Sequence, residues 1–132
     1  MKRLYIIRKD VKIPVSKLLY YIADCDEIYW IKQLSREAHV DYYEDYNAII
    51  NIPKDMFEEY IKGFPKKTIR KAKNEAHLLE AKDKAIKNGL CEDIDFGLIY
   101  DKKNKNCVIG IWFKPLHDEL VQELEMDYIY HK

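Results

Sequence analysis

With 132 residues, 48% hydrophobic and 35% charged, the chain can bury one sizeable core and is too apolar for a disordered segment. Twenty-three basic residues balance twenty-three acidic ones, so the overall field announces no nucleic-acid partner, and any such partner has to be met by a local patch. No apolar run approaches the roughly 18 residues of a membrane span and no signal-peptide pattern opens the chain, so a cytoplasmic protein away from membranes is expected. Cys25, Cys91 and Cys107 are odd in number and lack a Cys-x-x-Cys spacing, which reads as reduced thiols.

Leu4 to Ile7 is a short apolar run with the composition of a buried strand. A charged turn, Arg8-Lys9-Asp10, and Pro14 lead to Ser16, a good N-cap. Leu18, Ile22, Cys25 and Tyr29 then recur at helical period, which predicts a helix from about Ser16 to about Arg36. Lys17 falls in its first turn, where a cation opposes the helix dipole and so needs another reason to be present. Residues 40–46 are acidic and aromatic without helical period, and Tyr46 to Ile52 reads as a short extra strand stopped by Pro53. Asp55 to Lys62 predicts a short helix ended by Gly63 and Pro65. Lys66 to Lys73 follows as a strand bounded by Asn74, a cap for a helix from Glu75 to Asn88. That helix carries Leu79 and Ile86 on one stripe, with Leu78, Ala81 and Ala85 beside them, and stops at Asn88-Gly89. Residues 95–101 and 107–113 are the last two strands, the second apolar on both faces and hence central. A final helix runs from about Leu116 to Leu124. The order predicts one domain over residues 1–132, an α/β three-layer sandwich with a small four-stranded mixed sheet and helices on both faces.

Arg8, Asp10, Lys17 and the apolar Val11 and Ile13 between them resemble the opening signature of the archaeal and eukaryotic-type peptidyl-tRNA hydrolases, Arg-x-Asp-Leu-x-Met-x-x-Gly-Lys followed by Ala-Ala-Gln-x-x-His-Ala. Ser16 stands where that family has Gly, Tyr21 where it has Gln, and Asp24 where it has His. Residues 17, 21 and 24 share one helix face. Residues 66–90 resemble the family's basic strand and the helix closing on Ala-x-x-x-Gly-Leu, here Ala85 to Leu90. The family's second signature is a strand ending in Asp-Ala-Gly-x-Thr-Gln, then an apolar strand closing on Gly-Pro. Here Leu98 to Asp101 and Val108 to Pro115 correspond, with Lys102 to Asn106 as a shortened link that lacks the Ala-Gly and both threonines. Residues 37–52 are an insertion against this pattern.

The resemblance implies a translation-linked hydrolase that cleaves the ester of peptidyl-tRNA or a related tRNA ester, with tRNA or peptidyl-tRNA as partner and no cofactor. It implies Lys17, Tyr21 and Asp101 as catalytic residues. Asp101 would accept a proton from the attacking water, and Lys17, at a helix N-terminus, would hold a phosphate or the developing negative charge. It implies Arg8, Asp10, Asp24, Lys66, Lys67, Arg70 and Lys71 on the substrate side. The missing threonines, Gln and His leave a second reading open: a fold-mate without catalysis that binds nucleic acid or protein. A bracing ion pair is the structural alternative for Lys17 and Asp101.

Lys62, Lys66, Lys67, Arg70, Lys71 and Lys73 form a basic run with no acid among them. It reads either as a phosphate-binding patch or as an edge strand whose lysines block edge-to-edge pairing. His39, His77, His117 and His131 stand at no metal-ligand spacing, so no metal is expected. Cys25 is expected to pack against the sheet. A homodimer is left open.

Overall fold

In a computed structural model, which describes residues 1–130, the apolar run at the N-terminus is strand β1, Lys2–Arg8. Its even residues Leu4 and Ile6 face one side of the sheet and its odd residues Tyr5 and Ile7 the other, as a period of two requires. Helix α1, Val15–Glu37, runs back along the sheet and buries Leu18, Tyr21, Ile22, Cys25 and Tyr29. The expected stripe is therefore the packed one, with Tyr21 added. The cap differs: Pro14 takes the N-cap position, no side chain caps the helix, and Ser16 lies inside the first turn. The ladder opens from the Leu18 N–H to the Pro14 carbonyl at 3.0 Å, two residues before the expected start.

Two further strand pairs complete a five-stranded sheet. Strand β4, Lys66–Ala72, lies parallel to β1 over its whole length, and β6, Val108–Phe113, lies antiparallel on β1's other side. β5, Phe96–Tyr100, is antiparallel to β6, so it runs the same way as β1. The spatial order is β5-β6-β1-β4-β7, where β7 is Ile129–Tyr130 paired with Arg70 and Lys71. The expected central strand is central and buried throughout. The expected count of four strands is corrected to five, because β4 gains a two-residue partner that is too short to leave a period.

Helix α2, Glu75–Lys87, and helix α3, Asp118–Glu125, cover the face opposite α1. Asn74 accepts the His77 N–H at 2.9 Å as the cap, and Gly89 closes the helix at φ +82°. The buried side of α2 is Leu78, Ala81 and Ala85; Ile86 is exposed, so the expected stripe is corrected by about one residue's rotation. α3 begins two residues later than expected, because Leu116 makes a reciprocal backbone pair with Lys2 at 2.9 Å in each direction.

Residues 39–47 lie apart from the main sheet as a hairpin of β2, His39–Val40, and β3, Tyr46–Asn47. Asp41 holds it by accepting the Tyr43 and Asp45 N–H groups and the Asn47 amide. The helical segment after Pro53 is a π-helix, Met56–Ile61, which buries Met56 and Tyr60. No helix among the described residues is long and apolar enough to cross a membrane.

Candidate functional site

β1 and β5 run the same way, so their carboxyl ends share one edge of the sheet, where open α/β sheets leave room for ligands. β1 leads from this edge through the 9–14 loop into α1, and β5 ends here at Tyr100, with Asp101 directly after it. A cleft of about 330 Å³ lies between the start of α1 and the Lys102–Asn106 turn. Ser16, Lys17 and Tyr20 form one wall, Asp101, Lys102 and Lys103 the other, and Tyr21 lies between them. A smaller hollow toward Ile13 and Ile109 is also lined by Lys17, Tyr21 and Asp101, so these three border both spaces.

The turn is braced from beneath. The Asp101 N–H donates to the Cys107 carbonyl at 3.0 Å and closes the base of the loop. Asp101 Oδ1 accepts the Lys103 N–H at 2.9 Å and stands 3.5 Å from the Tyr21 hydroxyl. That hydroxyl oxygen accepts the Lys102 N–H at 3.1 Å. At the rim Lys102 Nζ bonds Asp24 at 2.8 Å and lies 3.9 Å from the centre of the Tyr20 ring. The Asp24 carboxylate raises the Lys102 ammonium above its ordinary range. Three lysines thus face two carboxylates around an aromatic floor. The first-turn N–H groups of α1 have no capping side chain beside them, which makes this end of the helix receptive to an anion.

The remaining sequence-derived site residues divide. Arg8 and Asp10 form a two-bonded pair at 3.0 and 2.9 Å, and a further Arg8 nitrogen donates to the Val108 carbonyl at 2.9 Å. They pin the 9–14 loop to β6, a structural task that occupies their polar atoms. Asp24 is engaged by Lys102. The basic run of β4 does not form one patch, because alternate side chains face opposite sides of the sheet. Lys67 pairs with Asp26 of α1, while Arg70 bonds Glu125 of α3 at 3.1 Å and stacks 3.4 Å over Tyr130. Lys66 is exposed and Lys71 lines a groove beside Leu18. β7 covers β4 at Arg70 and Lys71, so that half of β4 is no free edge.

Sequence reasoning missed Tyr20, Lys102 and Lys103 as cleft residues, and Arg3 altogether. Only the helical offset of Tyr20 from Lys17 could have suggested the first; nothing local marks the others. Arg3 is buried at the opposite end of β1. It donates to the Phe113 carbonyl at 2.9 Å, pairs with Asp26 at 2.8 Å and lies against the rings of Tyr5 and Tyr29.

The molecule is thus a mixed α/β protein with a cleft of largely apolar surface, bordered by lysines and Asp101, at the carboxyl ends of two strands that run the same way. No protein-family model matches the chain, and no curated protein matches it. Among solved structures it is similar to a protein of unknown function, Atu0240 from Agrobacterium tumefaciens strain C58, with a TM-score of 0.56 and 12% identity over 99% of this chain and 97% of that one. At that identity the likeness concerns the fold alone.

Proposed function

We propose that the cleft hydrolyses the ester joining a peptide, or a related acyl group, to the terminal ribose of a tRNA. The observation that carries this reading is that Lys17, Tyr21 and Asp101, from segments 80 or more residues apart in sequence, line one cleft beside an uncapped helix N-terminus. Asp101 takes a proton from a water whose oxygen attacks the ester carbonyl. Lys17 and the start of α1 hold the developing oxyanion or the neighbouring phosphate. Tyr21 keeps Asp101 oriented. The carbonyl–oxygen bond then breaks, the ribose oxygen takes up a proton, and the products are a free carboxylate and free tRNA.

The test is release of peptide from peptidyl-tRNA by the purified chain. Lys17→Ala and Asp101→Asn should each lower turnover by ~10²-fold or more with the far-ultraviolet spectrum unchanged, as for positioned catalytic groups. Activity that merely follows the folded fraction would remove both from the mechanism.

One observation favours a second reading, a tRNA-binding module without turnover. The Lys102 and Lys103 N–H groups turn inward onto Tyr21 and Asp101, so this loop offers no backbone donor to an oxyanion. On that reading tRNA binds without release of peptide. Lys17→Ala then flattens the salt dependence of binding by about 0.7–0.9 per lost phosphate contact.

A further inference from the structure

The other end of β1 carries a group of side chains that lies far apart in sequence. Asp55 and Glu59 belong to the helical segment after Pro53, and His117 directly precedes α3. One ligand atom from each lies within 4.8 Å of the other two. His117 Nε2 stands 2.7 Å from Asp55 Oδ2. The second Asp55 oxygen accepts the Met56 N–H at 2.8 Å, so the backbone orients this carboxylate with one oxygen toward the imidazole. Outer bonds of this kind fix the ligands of metal sites. The His117 backbone is fixed in turn by the reciprocal pairing of Leu116 with Lys2.

The charges around this group are unbalanced. Two carboxylates adjoin one imidazole, and among the described residues no lysine or arginine reaches either carboxylate within 4.0 Å. Two carboxylates that are mostly covered do have such a partner: Asp26 has Arg3 and Lys67, and Glu125 has Arg70. Adjacent carboxylates without a cation repel each other.

We propose that Asp55, Glu59 and His117 bind one divalent transition-metal ion of the zinc class. One imidazole nitrogen and two carboxylate oxygens suit a borderline ion, and the donor set contains no thiolate. Ligands about 2.0–2.1 Å from a tetrahedral zinc stand about 3.3 Å apart, which rotation of these surface side chains can reach. Water completes the shell. The ion clamps the 53–62 segment to the start of α3. It lies at the far end of β1 from the cleft and is independent of the ester chemistry proposed there.

The experiment is titration of the metal-stripped full chain with zinc chloride, followed by calorimetry, together with the visible spectrum of the cobalt-substituted protein. One ion per chain is expected, with cobalt bands that lack a thiolate charge-transfer component. Glu59→Gln and His117→Ala should each weaken binding about tenfold or more. Glu59 is exposed, so Glu59→Gln preserves the fold and decides the matter if His117→Ala does not fold. No zinc uptake, uptake unchanged in Glu59→Gln, or a thiolate band pointing to exposed Cys91 would overturn the proposal.

Discussion

Arg3 is 1% exposed and carries a charge that the surrounding strands and helix have to satisfy. It does so through Asp26, whose carboxylate also receives the Tyr5 hydroxyl and Lys67. Removing one member of a buried pair leaves the other charge poorly compensated, which costs far more than the pair itself contributes. Arg3→Met keeps much of the aliphatic stem and removes the charge, so it should destabilise the protein by about 3 kcal/mol or more in urea unfolding. Arg3→Met combined with Asp26→Asn should lose less than the sum of the two single changes, because the stranded carboxylate is gone. A loss below about 1 kcal/mol for Arg3→Met would place Arg3 among the weak surface pairs. Two glycines of the sheet are fixed by close approach. A Cβ on Gly97 would meet the Trp112 indole at 2.6 Å, and one on Gly110 would meet the Ile6 carbonyl at 2.9 Å.

Strand β4 illustrates how an element reassigns a sequence pattern. Its cations lie close together in the chain, yet the pleat sends Lys66 and Arg70 toward α3 and Lys67 and Lys71 toward α1. Arg70 is mostly covered, pairs with Glu125, donates to the Tyr128 carbonyl at 3.0 Å and lies under Tyr130. It therefore fastens β7 and α3 to the sheet. Arg70→Ala should cost about 3 kcal/mol in urea unfolding, whereas Lys66→Ala, at an exposed position, should stay within about 0.5 kcal/mol. Equal effects of the two changes would show that Arg70 is no more than another surface cation. Any phosphate contact from this strand has to come from Lys66 or Lys71, which face opposite sides.

Across the whole molecule, burial of phenols sets the response to alkali. Burial holds Tyr5 and Tyr128 neutral well above the ordinary tyrosine range, raises Tyr29 and Tyr60 in the same direction, and pushes the Cys25 thiol up to about 12. In the unfolded chain the same phenols ionise near 10 and the thiol near 8.5. The folded state thus retains protons that the unfolded state releases. The contribution is complete below about pH 8 and is lost as pH rises through and beyond 10. Tyrosinate absorbance of these residues should therefore appear in one step with loss of the far-ultraviolet signal. Gradual ionisation of all tyrosines in a chain that stays folded would contradict it. On the acid side the signs reverse. Arg8 holds the Asp10 carboxyl low and the N-terminal ammonium holds Asp118 low. Their contributions are present above about pH 4 and fade as pH falls below it.

Periods and stops were legible in the chain by itself. The 18–22–25–29 stripe, the Asn74 cap, the Asn88-Gly89 stop and the apolar 107–113 run all act through neighbours within a few residues, so local spacing carries them. Lys17 and Asp101 each come after a strand, yet only the common direction of β1 and β5, set by the pairing of both with β6, brings them to one sheet edge. The rest depended on which distant segments meet. β7 exists because Arg70 and Lys71 offer it a partner, and Ser16 is no cap because the ladder starts at Pro14. The basic run divides because the sheet has two covered faces. Lys102 reaches Tyr20 only through the fold of its turn, and His117 reaches Asp55 only because Leu116 pairs with the first residues of β1. Spacing along a chain encodes the face a residue presents, while its partner is set by register and topology, which no local window contains.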